Sequence, residues 1–182
     1  MRIIAGSRKG ARIFAPAGHD TRPTGDRVRE AAFNLIGPGR VEGAAVLDLF
    51  AGSGAMGLEA LSRGAAQAVF VESDREACRA INRNLDKLEL TGATVLCQDA
   101  LRALRADAAA GRRYDLVLVD PPYAMFSSLQ NELIPYLSAT LAPEGLLVVE
   151  TAAADDPELP LAKRTSRRYG AARLTVFEHE HA

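Results

Sequence analysis

Ala45-Val46-Leu47-Asp48-Leu49-Phe50-Ala51-Gly52-Ser53-Gly54-Ala55-Met56-Gly57 runs from a short apolar segment through a glycine-rich turn into the start of a helix. A continuous apolar run bounded by a turn is the pattern of a strand buried on both faces. Glycines let the backbone turn tightly and approach a ligand closely. A helix N-terminus behind such a turn offers N–H groups to an anion. Gly52-Ser53-Gly54-Ala55-Met56-Gly57 also matches the literal dinucleotide fingerprint G-x-G-x-x-G. A glycine turn that merely joins strand to helix is the plainer alternative.

The same alternation continues outward. Helical periodicity runs over residues 54–63, 75–90, 100–110 and 129–141, and strands over 68–72, 93–97, 114–120 and 145–151. Strands and helices alternating at this spacing predict an α/β, Rossmann-like fold with a mostly parallel sheet covered on both faces. After a linker at 152–157 the alternation stops. Residues 163–169 and 172–178 flank Gly170-Ala171 and predict a C-terminal antiparallel hairpin. Residues 26–36 predict a helix stopped by Gly37-Pro38-Gly39. Residues 1–24, with Ile3-Ile4 and Ile13-Phe14 among basic and glycine residues, predict a small hairpin or extended arm. A length of 182 residues suits one domain, with an arm and helix at 1–40 and the sheet at 41–182.

In open α/β sheets ligands bind outside the carboxyl ends of the strands. Those ends carry Asp48 with its glycine loop, Glu72, Asp99 and Asp120-Pro121-Pro122-Tyr123. Glu72 could hold two ribose hydroxyls. Asp48, just before the turn, would repel a pyrophosphate and suits a ligand bearing an amino group and a sulfonium, as S-adenosylmethionine does. Asp99 could bind an adenine amino group or cap the helix that starts near Ala100. Both roles can coexist.

Asp120-Pro121-Pro122-Tyr123 carries the sharpest signal. Two prolines fix two φ angles, and Asp120 and Pro121 each precede a proline, which pushes them to extended conformations. The Asp120 carboxylate and the Pro121 carbonyl are then fixed acceptors, suited to the two protons of an –NH₂ group. Tyr123 can stack on a base, worth about 1–3 kcal/mol. A Pro-Pro turn ending a strand is the bland alternative.

These residues carry a family resemblance. Asp120-Pro121-Pro122-Tyr123 resembles the signature of methyltransferases acting on amino groups of bases. Together with Asp48-Leu49-Phe50-Ala51-Gly52-Ser53-Gly54 and Thr21-Arg22-Pro23-Thr24-Gly25-Asp26-Arg27-Val28-Arg29-Glu30, it is similar to the bacterial 16S ribosomal RNA guanine-N2 methyltransferase family. The likeness runs from Arg2 to the last hairpin. It implies a class I S-adenosylmethionine-dependent methyltransferase sheet of seven strands, with S-adenosylhomocysteine as product. Asp48, Ala51, Gly52 and Gly54 would cradle the methionine end, Glu72 the ribose, and Asp99 and Ala100 the adenine. Asp120, shared with the cofactor site, and Pro121, Pro122 and Tyr123 would face the target base. The implied partner is 16S rRNA or a small-subunit assembly intermediate.

Net charge is −1, yet residues 1–40 hold eight basic and three acidic residues. Arg8, Lys9, Arg12, Arg22, Arg27 and Arg29 are therefore candidate phosphate contacts. A second basic patch comprises Lys163, Arg164, Arg167, Arg168 and Arg173. For either cluster a solvated surface is the alternative. Aromatic residues are 5% and Trp is absent, so a broad stacking platform is not expected. Cys78 and Cys97 lack metal-ligand spacing and read as buried packing in a reducing compartment. Without a Pro-Cys pair they do not suit cytosine C5 chemistry. No signal peptide or membrane-spanning run is visible, so a cytoplasmic protein is expected, and a monomer. Three rivals stay open: a DNA amino-group methyltransferase, a nicotinamide oxidoreductase, and a non-enzymatic cofactor-binding or assembly factor. The oxidoreductase lacks a hydride-transfer partner, since two of the three histidines, His179 and His181, sit in the tail.

Overall fold

A computed structural model describes residues 1–15 and 23–180, with only the backbone at 23–24 and 123–130. Seven strands form one sheet: β1 (Ala45–Leu49), β2 (Gln67–Glu72), β3 (Ala93–Cys97), β4 (Tyr114–Val119), β5 (Leu141–Ala152), β6 (Ala162–Tyr169) and β7 (Ala172–Glu178). Their spatial order is β3-β2-β1-β4-β5-β7-β6. β1 to β5 are parallel, and β7 pairs antiparallel with both β5 and β6. The order reverses between β1 and β4, which leaves a crevice at their carboxyl ends.

Among the described residues five α-helices cover the sheet: α1 (Pro23–Ile36), α2 (Ala55–Ser62), α3 (Arg75–Leu88), α4 (Ala100–Ala109) and α5 (Tyr123–Thr140). Side chains alternate across each strand. Leu116 and Leu118 accordingly enter a core with Phe33, Leu58, Phe70 and Ile81. Val117 and Val119 enter a second core with Leu104, Leu133, Leu137 and Phe177. Each fully buried side chain of this kind contributes about 1.5–3 kcal/mol. The two cores hold the β1/β4 crevice rigidly.

Several boundaries depart from the sequence reading. α1 starts at Pro23 rather than residue 26, because proline is tolerated in the first turn, where its missing N–H has no helical acceptor. α3 stops at Leu88, where Glu89 takes a left-handed φ of 50°. α5 starts at Tyr123, six residues before the predicted 129, directly behind Pro122, which serves as its N-cap. β5 begins at Leu141 and crosses an irregularity opposite Tyr114 and Leu116. Cys97 is exposed at the end of an edge strand, not buried as the sequence suggested, while Cys78 is buried.

The arm is a hairpin folded back on the helices. Arg2 bridges Arg12 antiparallel, the Ile3 N–H donates to the Ala11 carbonyl at 2.9 Å, and Ile3 and Ile13 enter the first core.

Candidate active site

A cleft of about 610 Å³ opens at the carboxyl ends of β1, β2 and β4. Of the predicted site residues, Asp48, Ala51, Gly52, Glu72, Asp99, Ala100, Asp120, Pro121 and Pro122 all line it. Tyr123 is described only through its backbone, as the first residue of α5. Gly54 stands behind the lining. A Cβ there would meet Ile81 Cγ1 at 3.0 Å, so this glycine serves the packing of α2 on α3. Gly57 is tighter still, since its Cβ would fall 2.3 Å from the Phe70 ring. Gly52 differs, with φ at 54° and open space where a side chain would stand. It keeps the cleft clear.

The loop is braced by its own hydrogen bonds. The N–H of Gly52 donates to Glu72 Oε2 at 2.8 Å, and that of Gly54 to the Ala51 carbonyl at 2.7 Å. These two donors therefore shape the loop rather than wait for an anion, as the sequence had suggested. Phe50 sits at φ 59°, a left-handed conformation that is uncommon outside glycine. Strain of this kind persists only where the surroundings enforce it and collects at ligand sites. Glu72 also takes the Asp74 N–H at 2.8 Å on its other oxygen. A carboxylate has about four lone-pair sites, so both oxygens retain capacity for hydroxyls.

Asp48 is 2% exposed, and its Oδ2 accepts the Gly57 N–H at 2.8 Å. Burial pushes its carboxyl up to about 8. The Gly57 hydrogen bond opposes that, while the charges of Asp120 and Glu72 reinforce it. Asp120 is open to the cleft yet walled in by it, and loss of water around the carboxyl pushes it up to about 6. Asp99 caps α4 by accepting the Arg102 N–H at 2.9 Å and stays exposed at the rim. With Glu150 from β5, five acids line the cleft: Asp48, Glu72, Asp99, Asp120 and Glu150. Asp48 is largely protonated at neutral pH and Arg29 also lines the cleft, but the other four acids outweigh that one cation, so the cleft disfavours phosphates and draws cations. It suits an ammonium or sulfonium group and opposes a dinucleotide pyrophosphate.

The family model described as "Conserved hypothetical protein 95" matches residues 1–178. The chain belongs to this family. "Putative rRNA methyltransferase YlbH" of Bacillus subtilis is 49% identical over 124 residues, which is 68% of this chain and 67% of that protein. "Ribosomal RNA small subunit methyltransferase D" of Escherichia coli is 42% identical over 153 residues, 83% of this chain and 74% of that protein. The solved structure of "Putative methyltransferase yhhF" from Escherichia coli superposes with a TM-score of 0.87 at 36% identity, over 99% of this chain and 98% of that one. The fold is the class I, Rossmann-like methyltransferase fold.

The predicted phosphate contacts of this family member divide. Lys9, Arg12 and Arg27 are exposed and Arg8 is half-buried. Arg22 lies outside the described residues. Arg29 is 3% exposed and turned inward, with its guanidinium donating to the Arg2 carbonyl at 2.5 Å and to Asp26 at 2.9 Å. It ties α1 to the arm, and what little of it is exposed faces the cleft rather than the arm's outer surface. In the second basic patch, Lys163 is paired with Asp156 and Glu158, and the guanidinium of Arg173 reaches the Ala153 carbonyl and Ser166. These groups stabilise the terminal hairpin. No cysteine lines the cleft among the described residues. Burial and a hydrogen bond with Cys97 push the Cys78 thiol up to about 12, which suppresses the nucleophilic thiolate.

Sequence reasoning missed Glu59, Ser62 and Asn84, all buried, which anchor the arm. One signal was available for the first: Glu59 is the lone charged residue of the mostly apolar stretch Ala55–Ser62.

Proposed function

We propose that this protein is an S-adenosylmethionine-dependent methyltransferase acting on the N2 amino group of a guanine in small-subunit ribosomal RNA, as a monomer on a partly assembled particle. The observation that carries the cofactor assignment is Asp48. Burial and two acidic neighbours raise its carboxyl, and the ammonium of the methionine moiety would offset both. Asp48, Ala51 and Gly52 would hold that end, Glu72 the ribose, and Asp99 and Ala100 the adenine. When bound, the cofactor supplies a methyl carbon already activated by its sulfonium.

The chain's own task is positioning. A guanine N2 lone pair is delocalised into the ring, so the nitrogen is a weak nucleophile. Asp120 and the Pro121 carbonyl stand at the end of β4, held extended by the two prolines. Both can accept an amino hydrogen, which localises electron density on the nitrogen and stabilises the positive charge that develops there. With its carboxyl at about 6, Asp120 is mostly ionised at neutral pH, as an acceptor must be. The excess proton then leaves to Asp120 or to water. The base must leave its stack to reach the cleft. The ribosomal RNA methyltransferases among the relatives support RNA as substrate.

The test is transfer of labelled methyl to small-subunit particles from cells lacking the protein, with digestion to nucleosides. Naked ribosomal RNA and duplex DNA run in parallel. N2-methylguanine from particles is the expected product. Label confined to DNA would overturn the substrate assignment and leave amino-group chemistry standing.

A further inference from the structure

We propose that the outer face of α3, with Phe14 of the arm, is a docking ridge for the RNA phosphate backbone. This rests on the RNA-methyltransferase reading and adds a surface outside the cleft. Arg75, Arg79, Arg83 and Lys87 recur at every fourth position of α3 and all are exposed. Steps of four residues place side chains on one slowly turning stripe, about 6 Å apart, so the four cations span about 18 Å. A spread-out row of this kind matches a polyanion, whereas a single free phosphate calls for convergent cations.

Two of the four are held in place. The Phe14 ring is 39% exposed, with the Arg83 guanidinium 4.3 Å and the Lys87 ammonium 4.6 Å from its centre. Cation–π contact of this kind orders long side chains that would otherwise lose rotamer freedom on binding. Lys87 Nζ also donates to the Arg12 carbonyl at 2.7 Å, which joins the ridge to exposed Arg12 and Lys9. The acids on and beside this face are Asp74, which caps the helix directly before Arg75, Glu76, which pairs with Arg79, Glu89, 3.4 Å from Arg8, and exposed Asp86.

The ridge is coupled to the cleft at two points. Arg75 lies two residues beyond Ser73, which lines the rim, with Asp74 between them. Buried Asn84 holds both backbone groups of Phe14, at 2.7 and 2.9 Å, and reaches the Ser53 carbonyl of the glycine loop at 3.3 Å. The cleft itself, with five acids against the single cation of Arg29, disfavours phosphates. Backbone affinity must therefore be generated outside it while the base is delivered inside, and the ridge stands beside the entrance.

The experiment compares wild type, Arg83→Gln/Lys87→Gln and the charge-keeping Arg83→Lys/Lys87→Arg. Binding to naked 16S rRNA and to small-subunit particles is measured across a salt series, with cofactor affinity and methyl transfer alongside. Loss of two phosphate contacts should lower the slope of log K against log salt by about 1.4 and weaken binding about twentyfold at 0.1 M salt. KM for RNA should rise with kcat and cofactor affinity unchanged, and the charge-keeping pair should behave as wild type. An unchanged salt slope beside an active wild type would overturn the ridge alone. Weakened binding to particles with naked RNA unaffected would mean a protein partner and also overturn it. A wild type that neither binds nor methylates RNA would remove the ridge and the substrate reading together.

Discussion

Glu59 of α2 accepts the backbone N–H of Ile4 at 2.8 Å across 55 residues of sequence. Its other oxygen takes the Ala5 N–H at 2.9 Å and Arg63 Nε at 2.7 Å, while Arg29 Nε lies 3.6 Å from the oxygen that accepts Ile4. The carboxylate is fully buried. One acid thus fastens the basic arm to the helix that begins at the glycine loop, so the arm and that loop share a rigid body.

Glu59→Ala removes every one of those acceptors and leaves Arg29 buried with less charge compensation. Breaking a buried pair by deleting one partner costs about 3–5 kcal/mol. Urea denaturation should show a loss of that size, and hydrogen exchange should show residues 1–14 opening before the sheet. Glu59→Gln keeps one acceptor and should lose less. A surface-sized loss in the alanine variant would mean that the arm docks through its isoleucines alone.

Gly6→Ala attacks the same junction from the other side. Gly6 has φ 83°, and a Cβ there would land 1.8 Å from the Ser62 carbonyl oxygen. That carbonyl accepts the Ser7 N–H at 2.7 Å, and the Ser62 hydroxyl donates to the Ala5 carbonyl at 2.6 Å. The backbone clash has no side-chain escape, so the arm must lift. The expected outcome is proteolytic cleavage within the arm, with cofactor affinity retained and RNA affinity reduced. Resistance equal to wild type would contradict the close packing at Ser62.

Most of the sheet was legible because its strands are continuous apolar runs and its helices have clear periods. The α5 start was not, since a Pro-Pro pair reads equally as a rigid turn or as the lead into a helix. The cleft residues were legible from position alone, as acids at the ends of buried strands. Roles that depend on tertiary approach were not legible. Arg29 looks like any other arginine of a basic arm until Asp26 and the Arg2 carbonyl are seen beside it. Gly54 and Gly57 look like ligand glycines until Ile81 and Phe70 are seen behind them. Cys97 looked buried because β3 is apolar, and only the strand order places it at an edge.

Asp48→Asn should separate stability from binding. The Asp48 carboxyl rises from 3.8 to about 8, so between those values the folded chain keeps a proton that the unfolded chain has released. The cofactor-free protein therefore loses stability as pH rises through that window. Asparagine can still accept the Gly57 N–H but carries no charge. The variant should melt higher than wild type, by a margin that grows from about pH 5 to about pH 8. Its cofactor affinity should fall at least tenfold. Wild-type binding below pH 8 should release a proton, visible as calorimetric enthalpies that differ between buffers. Tight binding by the variant with no proton release in wild type would remove Asp48 from the ammonium site.

Asp120 gives the reaction its acid limb. Its carboxyl is pushed up to about 6 by partial loss of water among the cleft residues. Only the ionised form accepts the amino hydrogens, so kcat/KM for RNA at saturating cofactor is expected to be flat above about pH 7 and to fall tenfold per pH unit well below 6. Asp120→Asn keeps one acceptor oxygen of similar placement. It should lose about 10²-fold or more in kcat, the cost of removing one electrostatic stabiliser, and its remaining activity should lack the acid limb. Asp120→Ala should abolish turnover while cofactor binding survives. Cofactor affinity is the control that separates this residue from Asp48, since the two carboxyls interact. If the acid limb persists unchanged in the asparagine variant, the titrating group is elsewhere and Asp120 is no more than part of the wall.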